Sequence, residues 1–388
     1  MAKIAIILVL PLEYNTSSML RCRSIIAALA TMGHTIKCYC PNPDPGSKYY
    51  SKESADLPGV EVFRFHRIVK SARGHQERKS RTLKSIMKTA AMGLFHKVDV
   101  FGSTLLYLPE RKSVSADISK GRFDILLSFS DPMPAHMIGK YCKKHNPQIR
   151  YIQQWGDPLA SDTISKISQP VWMRKLIEES LLKPADRVCY VSPFTCAEQK
   201  KIFPKQAEKM IFLPTPSLEY SEEDLDIKGI SVGYFGSYNS VARNLMPFYE
   251  AAQKNESVNF CIIGDSDVKL ESTNNISVIN RVSPQELDNY MKTINVIVCL
   301  MNHKGNQIPG KVYHDASSKK DILFIKDGEY GNAIQDFFQK YDHYTFVDNN
   351  VDAIDQAIKK YVAEGVPERK PVEDFKAENV AKRLIELS

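Results

Sequence analysis

The 388-residue chain carries 52 Lys and Arg against 45 Asp and Glu, a formal charge of +7, with 43% hydrophobic and 25% charged residues. These proportions exclude a disordered or fibrous chain, and the length suits two α/β domains better than one core. No apolar stretch is long enough to span a bilayer, and the eight cysteines show no CxxC pair, so reduced thiols are expected rather than a zinc site or disulfide framework.

Ile4 to Leu10 is a continuous apolar run, too short for a secretory leader and suited to a central parallel strand. The polar turn from Glu13 to Ser17 leads into a helix with Ile25, Ile26, Leu29 and Met32 at helical spacing, closed by Gly33. Strands follow at Thr35 to Cys40, before the breaker cluster Asn42 to Gly46, and at Val60 to Phe65. Next comes a basic segment, 64–97: Arg64, Arg67, Lys70, Arg73, Arg78, Lys79, Arg81, Lys84, Lys88 and Lys97 are opposed only by Glu77. Such a run attracts phosphate, on an anionic lipid or a diphosphate-linked ligand, or is simply a solvated face. Ile86, Met87, Met92, Leu94 and Phe95 within it can dip into a membrane interface. No helix-turn-helix, RNA-recognition aromatic pattern or zinc knuckle accompanies the charge, so no nucleic-acid partner is expected.

Strands at Asp124 to Phe129, Arg150 to Gln154 and Arg187 to Val191 alternate with helical patterns at Pro134 to Lys144 and Val171 to Leu182. That alternation predicts a doubly wound sheet over 1–214. After a polar, acidic stretch the pattern restarts with six strands: Ile230 to Phe235, Val258 to Ile263, Ile276 to Ile279, Val296 to Leu300, Ile322 to Ile325 and His343 to Val347. A second Rossmann-like domain is therefore predicted over 215–370. A last helix, about Val372 to Leu387, would pack back on the first domain.

Open α/β sheets bind ligands beyond the carboxyl ends of their strands. Three segments there carry candidate chemistry. Gly233 to Asn239, with Arg243 beyond, offers Gly236 and Ser237 for close backbone approach and a guanidinium for a diphosphate. Asn302 to Lys320 includes Pro309-Gly310-Lys311 at a helix start, placing Lys311 in the first turn. Gln153 to Pro158 places Trp155 and Asp157 on a strand-end turn, where the carboxylate can orient an acceptor hydroxyl and the indole can stack on a sugar or fill a domain interface.

The segments Tyr234-Phe235-Gly236-Ser237, Arg243-Asn244 and Ile308 to Tyr313 resemble the donor half of GT-B retaining glycosyltransferases of the group 1, GT4-like family. The first strand, its polar turn bearing Asn15, the helix with Arg21, Gly33-His34, and Ala185 to Ser192 resemble that family's amino-terminal domain. The resemblance implies an α/β fold of GT-B architecture, two Rossmann-like doubly wound domains facing a cleft, in a cytoplasmic enzyme peripheral to the inner membrane. It implies transfer of a sugar from a UDP- or GDP-linked donor, held by Arg243 and Lys311 without metal or cofactor. The acceptor would be a polyprenyl diphosphate-linked saccharide of surface polysaccharide synthesis, met by Asn15, Arg21, Trp155, Arg78, Lys79 and Arg81. Front-face attack, with the leaving phosphate taking the proton, needs no enzymic nucleophile.

Two departures stand against it. The family's paired glutamates fall on Asn306 and His314, neither an anion at neutral pH, while Asp315 is turned about 100° from the second position. A non-catalytic GT-B binding or scaffold protein is the alternative these positions raise. The spellings Asp224-Leu225-Asp226 and Asp265-Ser266-Asp267 match a metal-binding carboxylate pattern; an acidic linker and the family's Gly-Asp turn are the preferred readings.

Overall fold

The computed structural model describes residues 1–65, 110–130, 133–161, 169–217, 220–221 and 227–386. Arg78, Lys79, Arg81 and the rest of the basic segment beyond Phe65, like Asp224 and Asp226, lie outside the described residues. The chain divides into two compact units, Met1–Leu213 with Ala381–Ser388, and Pro214–Val380.

The first unit is built on a seven-stranded, wholly parallel sheet. Its strands are β1 (Lys3–Ile7), β2 (Thr35–Pro41), β3 (Val60–Phe65), β4 (Ile125–Phe129), β5 (Arg150–Trp155), β6 (Arg187–Tyr190) and β7 (Met210–Phe212). They lie in the order β3-β2-β1-β4-β5-β6-β7. Helices α1 (Ser17–Thr31), α2 (Glu110–Gly121), α3 (Pro134–His145), α4 (Val171–Leu182) and α5 (Pro193–Ile202) connect them. Thr16 caps α1 by accepting the Met19 amide, and Cys22, Ile25, Ile26 and Leu29 on its inner face are buried. The apolar run starting at Ile4 ends as a strand at Ile7, because Leu8 and Val9 enter the turn that the fold needs at the carboxyl edge.

The second unit holds β8 (Ser231–Phe235), β9 (Asn259–Ile263), β10 (Ile276–Ile279), β11 (Val296–Leu300), β12 (Asp321–Lys326) and β13 (Tyr344–Asp348). Every pairing is parallel, in the order β10-β9-β8-β11-β12-β13. Its helices are α6 (Met246–Gln253), α7 (Pro284–Met291), α8 (Lys311–His314), α9 (Gly331–Phe338) and α10 (Val351–Glu364). A final helix, α11 (Ala377–Glu386), crosses the boundary between the units, and within the first unit the Arg150 guanidinium donates to the Ile385 carbonyl at 2.8 Å. Both sheets are doubly wound, with strand order reversing between β1 and β4 and between β8 and β11. All eight cysteines are free thiols. No helix among the described residues is long and apolar enough to cross a membrane.

Buried charge in the second unit is paired: Asp321, with no exposed surface, accepts from Arg369 Nε at 2.7 Å and from the Tyr361 hydroxyl. In the first unit the fully buried His136 bonds Ser128 Oγ through Nδ1 at 2.7 Å and stacks on Trp155, ring centroids 4.4 Å apart. Burial lowers its pKa to about 3. The unfolded chain, titrating at about 6.5, binds the proton first, so His136 contributes fully above that pH and its contribution is lost as the pH falls towards 3. The loss is about 1.4 kcal/mol per pH unit. His136→Gln is expected to flatten the dependence of the urea midpoint on pH between about 6.5 and about 5. An unchanged slope would assign the acid lability elsewhere.

Candidate functional site

In the second unit the loops that follow β8, β9, β11, β12 and β13 are fastened to one another at the carboxyl edge of the sheet, around the crevice where strand order reverses. The Gly236 amide donates to the Ile263 carbonyl at 2.8 Å and the Tyr238 amide to Asp265 at 3.2 Å. Gly264 permits this contact: a Cβ there would lie 1.9 Å from the Gly236 carbonyl oxygen. Asn239 shapes the next turn, its side chain accepting the amides of Val241 and Ala242 while its backbone exchanges hydrogen bonds with Arg243. Arg243 is thereby presented from a closed turn, with Nε bonded to Asn302 Oδ1 at 2.7 Å.

Lys311 reaches the same edge from the other side. Val312 and Tyr313 are buried, Tyr313 packing on Phe338 and Phe375, so the single turn of α8 is pinned while Lys311 stays half-buried. The Lys311 ammonium lies 5.8 Å from the centroid of the Phe235 ring, and its Cε would sit 3.4 Å from a Cβ at Gly236. Gly236, Ser237, Arg243 and Lys311 thus gather at the ends of β8 and β11, and two cations over a floor of extended backbone suit a diphosphate.

The helix expected to start at Pro309-Gly310-Lys311 is shorter than a strand-to-strand helix: α8 is one turn, Lys311–His314, followed by a 3-10 turn from Asp315 to Ser317. Gly310 stands at its N-terminus and His314 at its end, half-buried, while Asn306 lies in the preceding loop. Asp315 turns inward, accepting from Cys299 Sγ at 3.5 Å; burial raises its carboxyl pKa, opposed by Lys311 and Lys320. Burial likewise lowers Lys320, which donates to the Met291 carbonyl, to about 8. The Asp265-Ser266-Asp267 carboxylates turn to separate partners, Asp265 to Arg281 and Asp267 to Ser240.

A pair that the sequence reading passed over completes the edge. His303 Nδ1 and Asp327 Oδ1 are 2.9 Å apart, with the imidazole half exposed and the carboxylate largely buried. Asp327 also accepts the Gly328 amide and Asn349 Nδ2, so its carboxylate is the acceptor and His303 Nδ1 the donor of the bond between them. The His303 amide donates to the Ala242 carbonyl at 2.8 Å, one residue from Arg243. Gly328, at φ +68°, lies where a Cβ would fall 2.2 Å from the His303 carbonyl oxygen. No motif links His303 to Asp327; the only sequence signal was that each follows a strand.

The candidate residues of the first unit are differently placed. Trp155 is fully buried, stacked on His136 and donating from Nε1 to Gln153, so the expected sugar-stacking role is corrected: its alternation faces the core beneath α3. Asn15 accepts from Arg23 and Ser54 within the turn after β1. Arg21 is buried, Nη2 lying 3.4 Å from the Ser130 carbonyl. Arg64 does not belong to a free basic face, since its guanidinium forks onto the buried Glu13 carboxylate. Asp157 is exposed on its turn, which Glu178 anchors by accepting the Ala160 amide at 2.6 Å. Burial raises the Glu178 carboxyl to about 8.

No protein-family model matches the chain, and no curated protein matches it. Solved structures do. UDP-GlcNAc 2-epimerase from Neisseria meningitidis, bound to UDP-GlcNAc, is similar with a TM-score of 0.56 at 10% identity, over 99% of this chain and 98% of that one. UDP-GlcNAc 2-epimerase from Methanocaldococcus jannaschii is similar with a TM-score of 0.54 at 11% identity, over 100% of both chains. At these identities the shared property is the fold, a GT-B-like fold of two Rossmann-type domains. The expectation of a group 1 glycosyltransferase acting on an acceptor is corrected: both of these structures, which share the fold along the whole chain, are epimerases of a sugar nucleotide. The physical reason is that a glycine turn with two cations is a pattern suited to a diphosphate, which an epimerase substrate and a transferase donor have in common, so the pattern does not separate the two.

Proposed function

We propose that this protein binds a nucleoside diphosphate sugar, UDP-linked in the first instance, at the carboxyl edge of its second sheet and epimerises the bound sugar without a separate acceptor. The observation that carries the reading is the placement of two cations at the β8–β11 crevice, Lys311 against Gly236 and the Phe235 ring at the end of β8, and Arg243 bonded to Asn302 in the loop after β11. Their charge balances the diphosphate, with no metal required for that role. The likeness of fold to the UDP-GlcNAc 2-epimerases supports UDP-GlcNAc as the first substrate to try.

Inverting C2 of UDP-GlcNAc by proton exchange leaves an electron pair on that carbon, which departure of UDP from the neighbouring C1 takes up as a C1–C2 double bond. Return of the proton to the other face of C2, with UDP re-adding at C1, restores the sugar nucleotide. His303, oriented by its bond to Asp327 and half exposed, is the group of this edge suited to carry the proton. Asp315 lies close enough to Lys311 for the ammonium to oppose the rise that burial gives its carboxyl pKa. Purified protein incubated with UDP-GlcNAc is expected to yield its epimer, resolved by chromatography. His303→Gln is expected to lower the rate by about 10²-fold or more while leaving UDP affinity unchanged. Affinity without turnover in the unsubstituted protein would turn the reading to a binding protein, as Asn306 and His314 had raised.

A further inference from the structure

The first unit presents one apolar surface that its fold does not use. Six large hydrophobic side chains are exposed among the described residues, and three of them, Val171, Trp172 and Leu176, stand within one and a half turns at the start of α4. Helical geometry places them on an arc of about 140° that also carries Lys175, Glu179 and Lys183. The rest of the helix is committed: Leu181, away from the arc, and Glu178, on its flank, are buried, and Arg174 donates to the Leu159 carbonyl. At the carboxyl end the arc itself closes over the buried Leu182, so the free face belongs to the first turn and a half.

The charge around the arc is mainly positive. Lys175 and Lys183 are exposed, Lys183 making a long 3.8 Å pair with Glu179. Lys140, from the neighbouring α3, has its pKa lowered by burial and by the charge of Lys183, so the two ammonium groups are close. Lys209 donates to the carbonyls of Leu182, Lys183 and Ala185 at the end of α4. Lys143 is neutralised by Asp186. A large indole flanked by aliphatic side chains and ringed by lysines is the composition of an interfacial helix face, with the apolar groups entering the acyl boundary and the lysines at the headgroups.

We infer that the exposed face of α4, carrying Val171, Trp172 and Leu176 among Lys140, Lys175 and Lys183, docks the first unit onto an anionic lipid surface. The inference is independent of the sugar-nucleotide site, which lies in the other unit. It also differs from the expectation placed on the basic segment, since every residue of this face lies outside that segment.

The chain has two tryptophans, and one of them, Trp155, is sealed in the core, so a change in emission on binding reports Trp172. The full-length protein is mixed with vesicles of phosphatidylcholine alone, or of phosphatidylcholine with phosphatidylglycerol. With the anionic vesicles, emission is expected to shift to the blue and the protein to float, both weakening as salt rises. Lys175→Ser is expected to lower the partition coefficient about fivefold. Trp172→Ser with Leu176→Ser should abolish flotation with an unchanged melting temperature, because both side chains are exposed. Three results would overturn the inference: no flotation, flotation unaffected by the double substitution, or a concentration-dependent dimer that the double substitution dissolves, which would make a second copy the occupant.

Discussion

Lys311→Ala is expected to weaken UDP binding by about 10- to 150-fold, the range for a charge-assisted contact of about 1.5–3 kcal/mol. Arg243→Ala should do the same or more, because its loss also leaves Asn302 Oδ1 without the Nε donor it has at 2.7 Å. Neither change should cost much stability. Lys311 is half-buried but held by its buried neighbours Val312 and Tyr313, and the Arg243 turn is closed by Asn239 rather than by the guanidinium. Calorimetric titration with UDP checks both, and melting temperatures separate lost contact from lost structure. The paired substitution is expected to be less than additive in free energy, since both cations face one ligand. Unaltered affinity in both single variants would remove the diphosphate from this edge.

The second large effect is expected at a residue that touches no ligand. Gly264→Ala places a methyl 1.9 Å from the Gly236 carbonyl oxygen, a backbone atom that cannot swing aside as a side-chain tip can. One of the two loops must move, breaking the Gly236 amide bond to Ile263 and shifting the floor beneath Lys311. Overpacking of this kind costs about 1–3 kcal/mol. The variant should therefore melt earlier and bind UDP more weakly, even with Arg243 and Lys311 intact. By contrast, Asp265→Asn removes only an exposed pair with Arg281 and should leave both measurements near the parent values. A Gly264→Ala protein with unchanged melting and affinity would mean that the contact between these loops has no mechanical role.

Much of the fold was legible because parallel strands buried on both faces must be apolar throughout, as Ile322 to Ile325 and Val296 to Leu300 are. The short edge strand β7 was not, since Met210–Phe212 carries no periodicity in three residues. At the candidate site, the shared placement of Gly236 and Lys311 was legible because each follows a strand within a recognisable local pattern. His303 and Asp327 were missed because 24 residues separate them and only the pairing of β11 with β12 brings them together. Trp155 shows the opposite failure. Its neighbours in sequence suggested a turn at a ligand site, but strand alternation aims its ring inward, onto His136. The chemistry outran the sequence for a similar reason: a pattern suited to a diphosphate would identify the handle of a sugar nucleotide, not the fate of its sugar.

The most direct measurement is a proton NMR time course of UDP-GlcNAc with the protein in deuterium oxide. The account predicts a second UDP-linked sugar signal, with solvent deuterium at the inverted carbon, and both lost in His303→Gln. An unchanged UDP-GlcNAc spectrum, from protein that binds UDP and loses that binding in Lys311→Ala, would contradict epimerisation of this sugar and leave the diphosphate site standing.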